Sequence, residues 1–304
     1  MLKATFATFI PVAIFYLALG ILNLKDMRWR REIQKRNRRS PLTKSMLRSP
    51  GESLRNEIDE LEVDHRAFLM LALSFPFIVL SFGLSQALFI DLSLWHWILY
   101  AAATIAVFVF WTLRKMYAIK EKIRNCTLGM EGEIATGQEL NQLMLHGCRV
   151  FHDLPSEYGN IDHIVVSQSG VFSVETKTLS KENESGSHKA TIDFTKNMVQ
   201  FSDRKWRLPI DQLETNSRWL SQYLTNSTGM EVKAESILAL PGYYIEKRIG
   251  KGKVLVINPT KPKKFFVHSR TVFTPEQIQR IAHQIEQLCR DVEPSFRNQK
   301  KMEA

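Results

Sequence analysis

The chain has 304 residues, 44% of them hydrophobic, and its 41 Lys and Arg outnumber 31 Asp and Glu for a formal net charge of +10. That length holds one ordinary domain with further elements attached. The three cysteines, Cys126, Cys148 and Cys289, are odd in number, far apart and without a CxxC pair, which argues against a disulfide framework or a zinc site and fits reduced thiols in a cytosolic domain.

In chain order, the first features are three runs without charge, residues 4–24, 67–90 and 92–113, each at least 21 residues long. About 20 apolar residues cross a bilayer as a helix, and soluble helices rarely lack a polar face for so long. The expectation is three transmembrane helices: a signal anchor over residues 1–24, and a helical hairpin over 67–113 that turns at Asp91. Between them, residues 25–66 form a basic loop with 12 Lys and Arg against eight acids, and Arg114, Lys115, Lys120, Lys122 and Arg124 follow the third run. The positive-inside rule then places the amino terminus outside, with the loop and the carboxy-terminal half in the cytoplasm, as in an integral protein of a bacterial inner membrane. Trp95, Trp97 and Trp111 suit interfacial positions. The competing reading is a signal peptide cut near Ala18-Leu19-Gly20, which reverses the remaining topology.

The net charge does not by itself point to nucleic acid. Residues 129–290 hold 20 Lys and Arg against 18 Asp and Glu, a balance of +2. The excess lies mostly beside the apolar runs, so RWRREIQKRNRR, residues 28–39, reads as a topology determinant against anionic lipid. One cluster farther on, Lys247, Arg248, Lys251, Lys253, Lys261, Lys263 and Lys264, has no intervening acid. It reads either as a face that holds phosphates or as exposed strand-edge lysines that discourage aggregation.

Residues 114–128 continue the third run as a juxtamembrane helix, and the soluble domain is expected over 129–290. It opens on the helix GMEGEIATGQELNQLMLHG, in which Glu133, Gly137, Leu140 and Met144 share a face and Gly147 is the stop. CRVFHDL reads as a strand and PSEYGN as a turn. Two strands follow at about 161–167 and 171–178, joined by SQSG as a hairpin. SKENESGSHK, residues 180–189, is polar and reads as mobile. ATIDFT and KWRLPI suggest a small hairpin, and Pro209 opens a helix to about residue 224. KAESILAL, KVLVIN and KKFFVH read as strands. TPEQIQRIAHQIEQLC closes the domain as a helix with Thr274 as cap and Pro275 at its first position. Residues 291–304 read as a disordered tail. This order is that of a mixed α/β sandwich.

The strands of the hairpin carry chemistry where apolar residues are expected. Side chains alternate along a strand, so Glu175 and Lys177 point the same way. A link of two or four residues puts Asp162 across from Glu175 or Lys177, on one face; a three-residue link or a bulge breaks the arrangement. Two carboxylates about 4 Å apart repel by roughly 4 kcal/mol at an effective dielectric near 20, and one lysine cannot neutralise both. A surface salt bridge is the plain alternative, but the flanking Ile161, Ile164, Val165, Val166, Val171, Phe172 and Val174 make both strand faces apolar, as in central buried strands, where ion pairs are costly. A divalent cation held by hard oxygen ligands, Mg²⁺ or Mn²⁺, resolves the excess charge.

GMEGE, GNIDHIVVSQSGVFSVETKT and LPIDQ together resemble the NERD domain (nuclease-related domain) of the PD-(D/E)XK nuclease superfamily, over about residues 129–240. The resemblance implies a restriction-endonuclease-like mixed-sheet α/β domain, here preceded by three transmembrane helices, and a metal-dependent phosphodiesterase site. On that pattern Asp162 and Glu175 hold Mg²⁺ or Mn²⁺, with the Thr176 carbonyl as a further ligand and Glu133 bound directly or through water. Lys177 orients or deprotonates the attacking water or stabilises the transition state, and Gln212 hydrogen-bonds phosphate or a metal-bound water. The chain departs from the pattern at Leu208 and Thr178, where asparagine is expected, and in the length of residues 180–189.

His163 alternates to the face opposite Asp162 and reads as a packing residue. His146 and His152 read as structural or exposed, Trp206 and Trp219 as core, and Asp153 and Glu157 as solvated residues at the border of the cleft. The leading expectation is a membrane-anchored, metal-dependent nuclease that acts on DNA rather than RNA at the cytoplasmic face, with nucleic acid and membrane lipids as partners. The alternatives are a catalytically silent nucleic-acid- or protein-binding scaffold on the same fold, and a membrane sensor governed by the basic loop.

Overall fold

The computed structural model describes residues 17, 21, 24, 25, 27, 28, 41–87, 94–181, 188–267 and 271–294. Nearly all of the first apolar run, most of the basic stretch 28–39, residues 182–187 of the expected mobile segment and the tail beyond residue 294 lie outside them. The chain forms two compact units, Met1–Pro41 with Asp59–Arg124, and Leu42–Ile58 with Asn125–Ala304.

In the first unit the helices α1 (Glu52–Ala87) and α2 (Leu94–Asn141) contribute their apolar stretches. Phe75 stacks on Phe108 with ring centroids 3.7 Å apart, and Phe68 meets Trp111 edge-on at 5.8 Å. These pairs run in opposite chain directions, so the two helices lie antiparallel. Among the described residues, two helices are long and apolar enough to cross a membrane, Glu52–Gly83 and Trp95–His146. Many of their large side chains, among them Leu73, Phe82, Leu99, Val107 and Phe110, are exposed.

The second unit is built on a five-stranded sheet in the order β1-β2-β3-β7-β9, with β1 (Arg149–Ser156), β2 (Gly159–Ser167), β3 (Gly170–Thr176), β7 (Ala234–Ala239) and β9 (Leu255–Ile257). β1, β2 and β3 form an antiparallel meander, whereas β3–β7 and β7–β9 are parallel. The apolar run through β2 and β3 has its cause in this placement: every residue of β3 is buried, and so is β2 from Ile161 to Ser167. One face, with Ile164, Val166 and Val171, packs against α3 (Ile210–Thr228) and α5 (Pro275–Cys289) through Leu220, Leu224, Ile281 and Ile285. The other face, with Val165, Phe172 and Val174, meets Leu140 and Leu143 and the short helix α4 (Lys263–Phe266).

A second sheet, β6-β5-β4-β8, contains β4 (Lys189–Asp193), β5 (Met198–Gln200), β6 (Lys205–Arg207) and β8 (Tyr244–Ile249). It shares a core with Leu213 of α3 and with Leu238 and Val256 of the first sheet. The expected hairpin over 190–210 is thus a three-stranded meander, and β8 is an element that periodicity did not suggest. KKFFVH is a helical turn instead of a strand: Phe265 and Phe266 N–H groups both return to the Pro262 carbonyl. α5 begins as its sequence dictates, with a reciprocal capping box between Thr274 and Gln277.

Two features of α2 differ from expectation. The apolar run, the juxtamembrane segment and the helix carrying Glu133 form one uninterrupted helix to Asn141. It then tightens into a 3₁₀ turn, Gln142–His146, closed by Gly147 at φ 80°. This tightening buries Leu143 and leaves Met144 exposed, so Met144 leaves the face of Glu133, Gly137 and Leu140.

Candidate active site

The β2–β3 link is the two residues Gln168 and Ser169, with Ser167 paired to Gly170 and His163 to Val174. The same register carried one step further sets Asp162 opposite Glu175, on the face toward α3. The Thr176 amide donates to Asp162 Oδ2 at 2.6 Å, which ties the aspartate across the hairpin to β3. Past the end of β3 the Lys177 amide donates to the Ala239 carbonyl of the parallel neighbour. That bond keeps the backbone extended and sends the Lys177 side chain back toward Glu175.

Glu175 is the most heavily bonded side chain of the group. Its Oε1 accepts from Lys177 Nζ and from Gln212 Nε2, each at 2.7 Å, and its Oε2 accepts from Asn216 Nδ2 at 3.4 Å. Gln212 and Asn216 lie one turn apart in the first half of α3, so a single helical face supplies both amides. Asn216 is 3% exposed and was not singled out by the sequence reading. Its i+4 spacing from Gln212 was the available signal, but an asparagine inside a helix has no mark of its own.

Glu133 approaches from α2. Its helix sits close because the preceding residue is Gly132: a Cβ there would lie 1.5 Å from Thr178 Oγ1. Burial, then the charges of Asp153 and Glu175, push the Glu133 carboxyl up to about 7, while Lys177 and a hydrogen bond from the Gly51 backbone pull the other way. Burial raises Asp162 well above the usual carboxylate range, with Glu175 and Glu133 adding to it. For Lys177, burial acts to lower the ammonium, but the Glu175 carboxylate outweighs it and the net shift is upward. Three carboxyls thus share one ammonium, and two of them hold protons more tightly than free acids do.

The sequence-derived residues Glu133, Asp162, Glu175, Lys177, Gln212 and Thr176 therefore come together around the carboxyl end of β3. Whether they suit a divalent cation depends on their donor chemistry. Carboxylate and carbonyl oxygens are the hard ligands that Mg²⁺ and Mn²⁺ take, and an added cation offsets the repulsion that raises Asp162 and Glu133. As they stand, among the described residues no group of three His, Cys, Asp or Glu side chains is placed to hold an ion, and Glu175 and Asp162 direct oxygens at protein donors. The set fits such an ion in chemistry and charge.

Behind the site, on the opposite sheet face, lies a buried histidine pair. His163 Nε2 contacts Thr176 Oγ1 at 3.1 Å, His163 Nδ1 meets His152 Nδ1 at 2.9 Å, and His152 Nε2 meets Asn141 Oδ1 at 3.1 Å. Burial lowers His152 to about 4 and His163 well below its ordinary value, so both rings are neutral. The expected placement of His163 away from Asp162 holds, and His152 is structural and buried. Asp153, in contrast, is not solvated: it is 2% exposed. It accepts from the Ser53 amide and hydroxyl and pairs with Arg48 at 3.1 Å. The basic residues 247–264 are divided between β8, the loop after it, the loop between β9 and α4, and α4 itself.

Residues 128–241 match the family model for the nuclease-related domain. No curated protein and no solved structure matches the chain.

Proposed function

We propose that the chain is a membrane-anchored, metal-dependent phosphodiesterase that cleaves nucleic acid, DNA in preference to RNA. The observation that carries this reading is the convergence of Glu133, Asp162 and Glu175 on Lys177 and Gln212 at the end of β3, inside the stretch similar to nuclease-related domains. Asp162 and Glu175, with the Thr176 carbonyl, would hold Mg²⁺ or Mn²⁺, and Glu133 would join them directly or through water. The ion would supply Lewis acidity and a template for in-line displacement at phosphorus.

The chain's own residues do the remainder. Lys177, fixed by Glu175, presents its ammonium where negative charge grows on the attacked phosphate or where water must be oriented. Gln212 donates to Glu175 and has a second amide hydrogen, without a hydrogen-bond partner among the described residues, for a phosphate oxygen. The two apolar helices would tether the unit to a bilayer, and the basic residues that flank them favour the cytoplasmic face.

One observation favours the silent-scaffold reading: Glu175 is already satisfied by Lys177, Gln212 and Asn216. The test that separates the two uses the purified full-length chain in detergent with labelled single- and double-stranded DNA and RNA, with and without Mg²⁺. Cleavage that needs Mg²⁺ and falls at least a hundredfold in Glu175→Ala and Lys177→Ala supports the nuclease. Equal turnover by wild type and both variants, or binding indifferent to Mg²⁺ and to both substitutions, overturns it.

A further inference from the structure

The segment Leu42–Ile58 lies far outside the stretch similar to nuclease-related domains, yet it is part of the compact unit that carries the site. Its attachment is continuous. Met46 and Val292 exchange both backbone hydrogen bonds, the Arg48 amide donates to the Cys289 carbonyl, and the Arg290 guanidinium donates to the Ser45 carbonyl. Arg48 forks onto both oxygens of Asp291 at 2.8 Å and reaches Asp153 with its other terminal nitrogen. Ser53 holds Asp153 through its amide and its hydroxyl, and Asn160 bonds the same hydroxyl.

The segment also closes on the helix of Glu133. A Cβ on Gly137 would meet Pro50 at 2.6 Å, and one on Gly129 would meet Leu54 at 3.2 Å. Gly51 takes φ 73°, a conformation that favours glycine, and a Cβ there would meet Met130 Cγ, on the same helix, at 2.9 Å. Asp153, the partner of Arg48 and Ser53, is the charge that raises the Glu133 carboxyl most. The segment thus seats the turns of helix on either side of Glu133, through Pro50, Gly51 and Leu54, and holds Asp153 through Arg48 and Ser53.

We infer that Leu42–Ile58 is a positioning strap of the site, with Arg48 and Ser53 as positioning residues that anchor it on Asp153, so that Pro50, Gly51 and Leu54 hold the helix of Glu133 in place toward the divalent cation. The inference rests on the metal-site reading above. It assigns to a segment outside the nuclease-related stretch a part in completing the ligand set, in the way that groups behind the ligands orient metal ligands generally.

Mn²⁺ binding to the full-length chain in detergent, followed by calorimetry and by electron paramagnetic resonance of the free ion, tests it as a double-mutant cycle. Arg48→Met and the milder Ser53→Ala are each combined with Glu133→Gln. The strap predicts that Arg48→Met weakens Mn²⁺ binding about tenfold when Glu133 is present and has little effect in the Glu133→Gln background, with Ser53→Ala showing the same pattern to a smaller extent. Equal losses in both backgrounds, for either variant, assign the segment to general stability and overturn the inference, as does unchanged affinity in both. Absence of Mn²⁺ binding by the wild type overturns the metal-site reading itself and the strap with it. Wild-type binding that the variants leave intact sinks the strap alone.

Discussion

Gly132 shows how one missing side chain sets the geometry of the site. With hydrogen as its side chain, α2 approaches the end of β3 until Thr178 fills the space a Cβ needs, and Thr178 Oγ1 is buried without a hydrogen-bond partner among the described residues. Gly132→Ala therefore forces helix and strand apart, at a cost of about 1–3 kcal/mol for overpacking, and withdraws Glu133 from Glu175. Thermal unfolding and Mn²⁺ titration should both register the change, and Thr178→Gly should restore much of each loss; a tolerated Gly132→Ala contradicts the close approach. His152 offers a second residue-scale prediction. Burial lowers its pKa to about 4 from an ordinary value near 6.5, so the unfolded chain takes up a proton below pH 6.5 while the folded ring stays neutral. The neutral ring's contribution is complete above pH 6.5 and declines as pH falls through 6.5 toward 4, by about 3 kcal/mol in all. His152→Gln removes the titration but keeps hydrogen-bonding groups. The stability gap between wild type and His152→Gln, measured by urea unfolding, should move against the wild type between pH 7.5 and pH 4.5. A gap independent of pH contradicts the buried neutral imidazole.

At the scale of elements, α3 brings Gln212 and Asn216 to the two oxygens of Glu175. Asn216→Leu leaves Glu175 Oε2 short of its protein donor in a buried setting and should cost about 1–3 kcal/mol in thermal unfolding. A neutral outcome means that the 3.4 Å contact is not a working hydrogen bond. The hairpin β2–β3 was legible in the sequence because apolar runs on either side of SQSG mark two strands, but the register of Asp162 and Glu175 depended on the length of the link, which the structure sets at two residues. α5 was legible because Thr274 and Pro275 each specify a helix start, and the structure adds the reciprocal bond of Gln277. β8 was not, because an edge strand reading YIEKRI exposes most of its side chains and carries charge where periodicity needs apolar residues. α4 misled because Phe265 and Phe266 resemble a strand core, whereas the Pro262 carbonyl collects the amides of a helical turn. The continuity of α2 was hidden by Gly129, Gly132 and Gly137. Glycines at that density read as a break, but all three are close-packing positions, against Leu54, Thr178 and Pro50. Asp153 was misplaced for a cause no local pattern contains: its partners Arg48 and Ser53 lie about a hundred residues away.

For the whole molecule, the unit that carries the site is discontinuous in sequence, and the dividing line between the two units runs through α1, near residue 58. A chain shortened to residues 59–304 keeps both apolar helices and the whole nuclease-related stretch but strips Arg48 and Ser53 from Asp153. A chain starting at residue 42 keeps them. Breaking a buried ion pair by removing one partner costs about 3–5 kcal/mol, because the remaining charge has no compensation; Asp153 is such a charge at 2% exposed. The same truncation removes the N–H that bonds the Cys289 carbonyl and the strand partner of Val292. Cys289 is 1% exposed and burial raises its thiol to about 12, so in the intact unit it has almost no thiolate to react at pH 8. The chain from residue 42 should unfold at the temperature of the full-length protein in the same detergent and leave Cys289 unmodified by iodoacetamide. The chain from residue 59 should melt many degrees lower and alkylate at Cys289, as peptide mass mapping would show. Equal melting and equal protection of the two chains would mean that the seventeen residues 42–58 contribute no more than a covering, and that the site is complete within the carboxy-terminal stretch alone.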